Sequence, residues 1–331
     1  MIDTAHVLCY NIIIRKTTVS DVRYSHKKRG EEIMLYNNLS GYLREKYGRR
    51  LSKICIDGGF SCPNRDGKCG TGGCTYCSPC GSGEHIDPAG SITEQVKAAL
   101  STAKPDDGFI AYFQNFTNTY APVDILHQRY DAALVDGRIA VLAVGTRPDC
   151  IDTEVADLLA SYLPRVDVWV ELGLQTASDK TAKRINRSYE TAVFLNAAKI
   201  LTERKIPFIV HVMVGLPDEG EADVESTVRL VNSVHPFGVK IHSTYVVRGT
   251  VLAEEYERGE YTPLLREDYI RICAESIARL SPDIVVHRIT GDCPRDLLVA
   301  PAWNTDKNGV IADIQRYMTE HGLSQGSLYE A

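Results

Sequence analysis

The segment SKICIDGGFSCPNRDGKCGTGGCTYC, residues 52–77, decides how the rest of the chain is interpreted. It begins with SKICID, a short apolar run that is typical of a β-strand. A loop rich in glycine and cysteine follows, and five cysteines fall between Cys62 and Cys80. This loop has too few apolar residues to bury itself as a strand or helix. Its thiols therefore need another explanation.

The spacing of the cysteines favours a metal centre and leaves its type open. Cys74 and Cys77 form a C-x2-C pair, which lets one tight turn aim two thiolates at the same metal. Cys62 lies twelve positions earlier, at the start of the same loop. Zinc usually takes four ligands as two such pairs, whereas an iron–sulfur cluster held by three thiolates leaves one iron open. Unligated thiols remain the third alternative.

The other cysteines are interpreted as bystanders. Cys69 and Cys80 are predicted to be solvent-side thiols of the loop, with an auxiliary ligand role as the alternative. Cys55, within the strand, is predicted to be a core residue. The N-terminus has no basic region ahead of its apolar patch and no cleavage site after it. We therefore expect a cytoplasmic protein, in a reducing compartment where disulfides are rare.

The composition is that of an α/β protein with a large core and no membrane span. The 331 residues are 44% hydrophobic and carry a formal net charge of −6, which disfavours a strongly basic nucleic-acid binder. No run of 18 apolar residues occurs. Short apolar runs alternate with amphipathic stretches, which indicates βαβ units and a parallel sheet. Strands are predicted at 52–57, 108–114, 139–145, 166–174, 207–215, 238–244 and 283–288, and helices near 91–103, 123–136, 152–163, 178–204, 221–234 and 266–280.

Three segments are predicted along the chain. Residues 1–33 are expected to be a poorly ordered extension or the product of a misassigned start codon, because they are charged and lack a clear period. Residues 34–290 form the predicted core barrel, and residues 291–331 a C-terminal extension packed on it. The loops that follow the strands are polar or glycine-rich, so function is expected at the carboxyl ends of the strands.

The motifs in their order resemble those of the radical S-adenosylmethionine (SAM) superfamily. C-x11-C-x2-C after the first strand, together with YFQNFTNTYAP, GTRPDC, VWVELGLQT, INRSY, VGLP and HRITGD, is similar to its bacterial YhcC/YtqA-type branch, a relative of the Elp3 catalytic domain. The resemblance runs from about residue 34 to the C-terminus. It implies an incomplete (β/α)6-type TIM barrel and a [4Fe–4S] cluster on Cys62, Cys74 and Cys77. SAM would bind the open iron and yield a 5′-deoxyadenosyl radical.

The same resemblance implies the residues that contact SAM. Tyr76 would lie beside the adenine, and Gly215 would let the backbone pass close to it. Gln114 would contact the methionine amino group, although the usual Gly-Gly-Glu is absent there. Arg187 would grip the carboxylate. Glu171 and Gln175 end the fourth strand, where a carboxylate in an apolar run needs a partner or a ligand.

Other residues stay open between structural and functional roles. Arg147 and Asp149 form either a loop ion pair or part of the site. His242, in KIHSTY, lies on a strand near the predicted rim, where a core role is the simpler interpretation.

For the substrate, the relationship to Elp3 suggests the side chain of a wobble uridine in tRNA, such as a carboxymethylaminomethyl group. Residues 44–53, REKYGRRLSK, form either a phosphate-facing patch or a solvated helix face. A flavodoxin or ferredoxin is the expected reductant. The alternatives are a radical SAM enzyme acting on a small metabolite or a protein, and a zinc-stabilised RNA-binding protein without enzymatic activity.

Overall fold

The computed structural model describes residues 35–81 and 90–330. Its centre is a parallel sheet of seven strands in the order β1-β2-β3-β4-β5-β6-β8, and these are the seven strands that the sequence predicts. A short antiparallel pair, β7 and β9, lies apart from it. The strands are β1 Leu51–Ile56, β2 Gly108–Phe113, β3 Ile139–Thr146, β4 Asp167–Gln175, β5 Phe208–Val214, β6 Gly238–Ser243, β7 Val246–Val247, β8 Val285–Arg288 and β9 Leu298–Ala300.

Helices alternate with the strands of the large sheet. They are α1 Leu39–Tyr47, α2 Ile92–Leu100, α3 Val123–Ala133, α4 Thr153–Tyr162, α5 Asp179–Arg184, α6 Thr191–Glu203, α7 Glu221–Ser233, α8 Val251–Glu257, α9 Arg266–Arg279 and α10 Lys307–Glu320. The single helix predicted at 178–204 is wrong. Asn186 and Ser188 have φ values of 53° and 65°, a left-handed conformation that ends α5 and separates it from α6.

The sheet curls into an open half-barrel, the incomplete TIM barrel that the sequence predicts. Its outer face packs against helices in one large hydrophobic core. The inner face carries a smaller apolar layer at the amino ends of the strands, formed by Val141, Trp169 and Ile209 and covered by Leu43 of α1. The interior is therefore closed at that end. At the carboxyl ends polar side chains replace the apolar layer, and this is where the candidate site lies.

The edges of the sheet are β1 and β8. Because β1 is an edge strand, Cys55 on it is exposed, so its prediction as a core residue is wrong. The C-terminal segment packs on the barrel through α10, whose Val310, Ile314 and Met318 join the large core. No helix within residues 35–81 and 90–330 is long and apolar enough to cross a membrane. Residues 1–33 lie outside the described residues, and the division of the chain into three segments stays a prediction.

Candidate active site

The cysteine loop after β1 is held against the segment between α5 and α6. The backbone N–H of Thr75 donates to the Ile185 carbonyl at 3.0 Å. The side-chain amide of Asn186 donates to the Gly73 carbonyl at 2.7 Å, and the amide of Asn64 donates back to the Asn186 carbonyl at 2.6 Å. Buried Asn64 therefore connects the cysteine loop to the break between α5 and α6, which the sequence did not predict. Hydrogen bonds replace the apolar packing that this loop lacks.

A tight turn aligns the C-x2-C pair. The Cys77 N–H donates to the Cys74 carbonyl at 3.0 Å and closes the turn. The Arg65 guanidinium reaches across the loop and donates to the carbonyls of Cys77, at 3.2 Å, and Pro79, at 3.1 Å. The Asn64 amide also lies 3.8 Å from the Cys74 sulfur, within reach of a weak hydrogen bond. These hydrogen bonds therefore fix the turn that carries the thiols of Cys74 and Cys77.

Cys62, Cys74 and Cys77 border one cavity of about 310 Å³. Cys69 and Cys80 are exposed, and neither borders this cavity. Burial, reinforced by the nearby Cys74, raises the pKa of Cys77 to about 12, so a metal centre would have to displace its proton. Among the described residues, no three His, Cys, Asp or Glu side chains are grouped closely enough to share one metal ion.

Four of the six residues predicted to contact the cofactor also border this cavity: Tyr76, Gln114, Glu171 and Gln175. Tyr76 comes from the cysteine loop, Gln114 and Gln175 from the carboxyl ends of β2 and β4, and Glu171 from the middle of β4. Tyr76 packs at its back against the cluster of Val246 and Leu252. These four side chains come from separate parts of the chain and border the same cavity as the three thiols.

Arg187 and Gly215, the other two predicted contacts, do not border the cavity. The guanidinium of Arg187 is buried and donates to the carbonyls of Leu174, Thr176 and Tyr189. Its Nη2 contacts the side chains of Asp179 and Thr191, so the guanidinium is engaged within the segment that forms the break between α5 and α6. Gly215 has a φ of 88° and its carbonyl accepts from Tyr261 at 2.7 Å, so it serves a turn beside α8.

Arg147 does border the cavity, as do Arg65 and Arg288. It pairs with Asp149 at 2.7 Å, so the loop ion pair considered from the sequence is present. Its guanidinium lies 4.8 Å from the ring centroid of Tyr189, and Tyr189 donates to the Gly173 carbonyl at 2.6 Å. The Tyr189 hydroxyl also reaches Gln175 at 3.2 Å. Arg147, Tyr189 and Gln175 therefore form one connected wall of the cavity, which we call the polar wall.

The deep end of the cavity is charged. Glu171, whose need for a partner was predicted, accepts from the Tyr112 hydroxyl at 2.6 Å and contacts His211 Nε2 at 2.8 Å. The same carboxylate oxygen accepts from Lys240 Nζ. Glu171 and Lys240 are each only 2% exposed. We call Tyr112, Glu171, His211 and Lys240 the cavity floor. Lys240 and Tyr112 were not singled out in the sequence, where their strands read only as apolar runs.

Burial and mutual charge interactions shift the pKa values of the residues in the cavity floor. Burial, with the nearby cations Lys53 and Arg288, lowers the pKa of Lys240 to about 7, although Glu171 opposes this. Burial alone would raise the pKa of Glu171, but Lys240 and His211 hold it well below its usual range. Burial and Lys240 lower the pKa of His211. At neutral pH Glu171 is therefore ionised and the His211 imidazole is neutral, whereas the Lys240 amine loses its proton near this pH.

The residues present fit an iron–sulfur cluster and SAM. Three thiols that border one cavity supply the donor set that a [4Fe–4S] cluster needs while leaving one iron free. Beside them lie an aromatic side chain, Tyr76, and the polar wall. Two buried polar atoms of cavity residues, Thr117 Oγ1 and His242 Nε2, have no hydrogen-bond partner within the described part of the chain. Such buried orphans are typical of a site built for a polar ligand.

Comparisons with known proteins agree with this geometry. The model of the radical SAM superfamily matches residues 67–231, and that of the radical SAM C-terminal domain matches residues 236–320. YtqA of Bacillus subtilis is 36% identical over 302 residues, 89% of this chain and 93% of that protein. A tRNA uridine(34) acetyltransferase of Methanocaldococcus jannaschii is 27% identical over 193 residues, 56% of this chain and only 34% of that protein.

A solved structure shares the fold. The archaeal Elp3 of Methanocaldococcus infernus superposes with a TM-score of 0.62 at 17% identity, over 83% of this chain and 64% of that one. The family models and the relative that spans nearly the whole chain confirm the prediction made from the motifs. They exclude the zinc-stabilised protein without enzymatic activity. The chain is an enzyme of the radical SAM superfamily, whose cofactors are a [4Fe–4S] cluster and S-adenosylmethionine.

Proposed function

We propose that Cys62, Cys74 and Cys77 hold the cluster and that SAM occupies the cavity beside them. The observation that carries this assignment is the convergence of these three thiols, and not Cys69 or Cys80, on one cavity with a polar wall and a charged floor. When bound, the reduced cluster supplies the electron that cleaves SAM into methionine and a 5′-deoxyadenosyl radical. The protein contributes orientation and the exclusion of water.

The cavity residues bind the two ends of SAM. Arg147 of the polar wall, rather than Arg187, offers a guanidinium for the carboxylate, since Arg147 borders the cavity and Arg187 does not. Gln114 and Gln175 bring amide groups to the same cavity for the amino group and the ribose. Tyr76 offers a buried aromatic face for the adenine. Gly215 supports this site only indirectly, through the turn that it forms.

The substrate that we propose is a wobble-uridine side chain of tRNA. The similarity to a tRNA uridine(34) acetyltransferase and to Elongator complex protein 3 supports this choice. The start of the basic run 44–53 does not, because Lys46 pairs with Asp167 at the amino end of β4, opposite the cavity. The last residue of the run, Lys53, lies near the cavity floor. Exposed cations on the cavity side are better placed to meet phosphates. Lys68, Lys180, Lys183 and Arg248 are exposed and lie in segments that follow the carboxyl ends of strands.

Anaerobic reconstitution tests the chemistry. Purified protein loaded with iron and sulfide, then given SAM and dithionite, should release 5′-deoxyadenosine. Replacing Cys62, Cys74 or Cys77 by alanine should abolish this release, whereas Cys80→Ala should leave it intact. Release that survives loss of one of the three would refute the ligand assignment. Flavodoxin or ferredoxin replaces dithionite in the assay that identifies the physiological reductant.

The tRNA assignment needs its own experiment. Nucleosides from the tRNA of a deletion strain should show an altered modification at the wobble uridine, and the wild-type enzyme should restore it. The double variant Lys180→Glu/Lys183→Glu should weaken tRNA binding and reduce its dependence on salt. A matched charge reversal at Arg44 and Arg50, on the opposite end of the barrel, should change neither. An unchanged nucleoside profile, with intact SAM cleavage, would point to a metabolite or protein substrate instead.

A further inference from the structure

Lys240 lies at the deepest point of the cavity with one hydrogen-bond donor to spare. Its ammonium group has three N–H donors. One goes to Glu171 and one to the Tyr112 hydroxyl at 3.2 Å. The described residues provide no third acceptor, although the side chain is only 2% exposed and borders the cavity. A buried cation with an unused donor is costly unless a ligand completes it.

The charges around Lys240 do not cancel. Lys53 Nζ and Lys240 Nζ lie 5.1 Å and 4.8 Å from the ring centroid of Tyr112. Arg288 borders the same cavity, and the acid nearest to it is Asp292, at 3.8 Å. Asp292 also pairs with Lys307, so its charge is shared. Three cations thus converge on the floor against Glu171 and part of Asp292. This surplus favours an anionic ligand.

We propose that Lys240 binds a carboxylate of the substrate, with Glu171 and Tyr112 holding its ammonium group in place. This inference deepens the proposed function and rests on it, since it assigns the floor of the same cavity to substrate recognition. Lys240 is then the residue that selects substrates with an anionic side chain. Glu171 is a positioning residue, because it acts through Lys240.

A purely structural ion pair would not need these features. A buried ion pair stabilises a fold no better than a well-packed apolar pair of the same volume. Here the carboxylate already accepts from Tyr112 and contacts His211, and the lysine still keeps one donor for the cavity. These contacts fix the orientation of the Lys240 ammonium group and leave one of its N–H donors without an acceptor among the described residues.

The pH dependence follows from the groups that face Lys240. They are Lys53 and Cys55 of β1, Tyr112 of β2, Glu171 of β4, His211 of β5, His242 of β6, and His287 and Arg288 of β8. A carboxylate binds the ammonium form, so its binding should weaken as pH rises through the pKa of Lys240, which is about 7 in the empty cavity. Lys53→Met removes a neighbouring cation and should move this loss to higher pH. Glu171→Gln removes the anion and should move it to lower pH.

A first experiment tests the site without tRNA and uses acetate as the probe. The holoenzyme, with its cluster oxidised and its lysines labelled with ¹⁵N at Nζ, is titrated with acetate and followed by NMR. The Lys240 signal, assigned by its loss in Lys240→Met, should shift in a saturable way and titrate at higher pH with acetate present. The surface variant Lys199→Met should leave this response unchanged. A Lys240 signal that ignores acetate would overturn the proposal.

A second experiment tests selectivity on two tRNA substrates. One carries 5-carboxymethylaminomethyluridine at the wobble position, and the other carries 5-aminomethyluridine, which lacks the carboxylate. A charge-assisted hydrogen bond implies that Lys240→Met lowers kcat/KM for the first by about 10- to 100-fold, and hardly changes it for the second. The double variant Glu171→Gln/Lys240→Met replaces the pair by neutral side chains and covers the case in which the single variant does not fold.

The two experiments separate this inference from the proposed function. If acetate binds at Lys240 but neither tRNA is turned over, the tRNA substrate is wrong and the carboxylate site stands. If both tRNAs are turned over and Lys240→Met affects them equally, the carboxylate site is wrong and the proposed function stands. The surface variant Lys199→Met should leave uncoupled release of 5′-deoxyadenosine and the turnover of both tRNAs unchanged in either case.

Discussion

Replacing Arg187 by methionine should destabilise the fold and leave SAM binding nearly intact. The substitution removes the donors from three carbonyls, those of Leu174, Thr176 and Tyr189. An unsatisfied buried acceptor costs about 1–3 kcal/mol, and partial hydration of the gap favours the lower half of that range, so the loss is roughly 3–6 kcal/mol. Because a domain is stable by only about 5–15 kcal/mol, this is a large fraction.

Differential scanning calorimetry of the protein and SAM titration of the reconstituted enzyme measure the two effects separately. A loss of this size should lower Tm on the order of 10 °C. The SAM dissociation constant should stay within about threefold, because Arg187 does not border the cavity. Arg147→Met is the counterpart and should weaken SAM binding by about 10- to 100-fold with a smaller loss of Tm. A Tm near that of wild type together with weak SAM binding in Arg187→Met would refute this reasoning.

Three further predictions concern the cysteine loop and the polar wall. Serine at Cys69 or Cys80 should leave the iron and sulfide content of the reconstituted protein unchanged, whereas Cys74→Ser should lose most of both; equal losses would contradict the ligand assignment. Asn186→Ala removes the hydrogen bond to the Gly73 carbonyl and should speed cluster loss in air severalfold, followed by the visible absorbance of the cluster. A Cβ on Gly173 would lie 2.6 Å from the Gln175 amide, so Gly173→Ala should weaken SAM binding without altering iron content, measured by SAM titration and metal analysis.

The seven strands could be predicted because each is a short, largely apolar run, and several are apolar on both faces, as a covered parallel sheet requires. The exception shows the limit of that signal. Cys55 lies in such a run and yet is exposed, because β1 forms an edge of a barrel that does not close. Whether a barrel closes depends on contacts between the first and last strands. A local sequence pattern does not predict those long-range contacts.

The break at 185–190 was missed for a related reason. Nothing in the local sequence requires Asn186 and Ser188 to adopt positive φ, since both residues also occur inside helices. The conformation is imposed by contacts across the fold, from Asn64 on one side and from the carbonyls around Arg187 on the other. The same contacts engage the Arg187 guanidinium, which does not border the cavity; its predicted contact with SAM stays a prediction.

The candidate site was predicted in part. Glu171 could be identified as a residue in need of a partner, because a carboxylate inside an apolar strand is costly. Its partner Lys240 could not be identified, since a lysine on a strand is more often exposed than buried. The side chain points into the barrel only because β6 lies beside β5 in a fixed register, with His211 opposite Lys240. That register is a property of the assembled sheet.

The anchoring of the cysteine loop also sets an order of events during synthesis. Cys62, Cys74 and Cys77 leave the ribosome more than one hundred residues before Ile185 and Asn186, to which their loop is tied. Until that later segment has emerged, the three thiols have no frame that holds them together. Insertion of the cluster therefore belongs to a late stage, after the first four strands and α5 have been made. A truncated chain that stops before residue 185 should take up iron poorly even though it contains every proposed ligand.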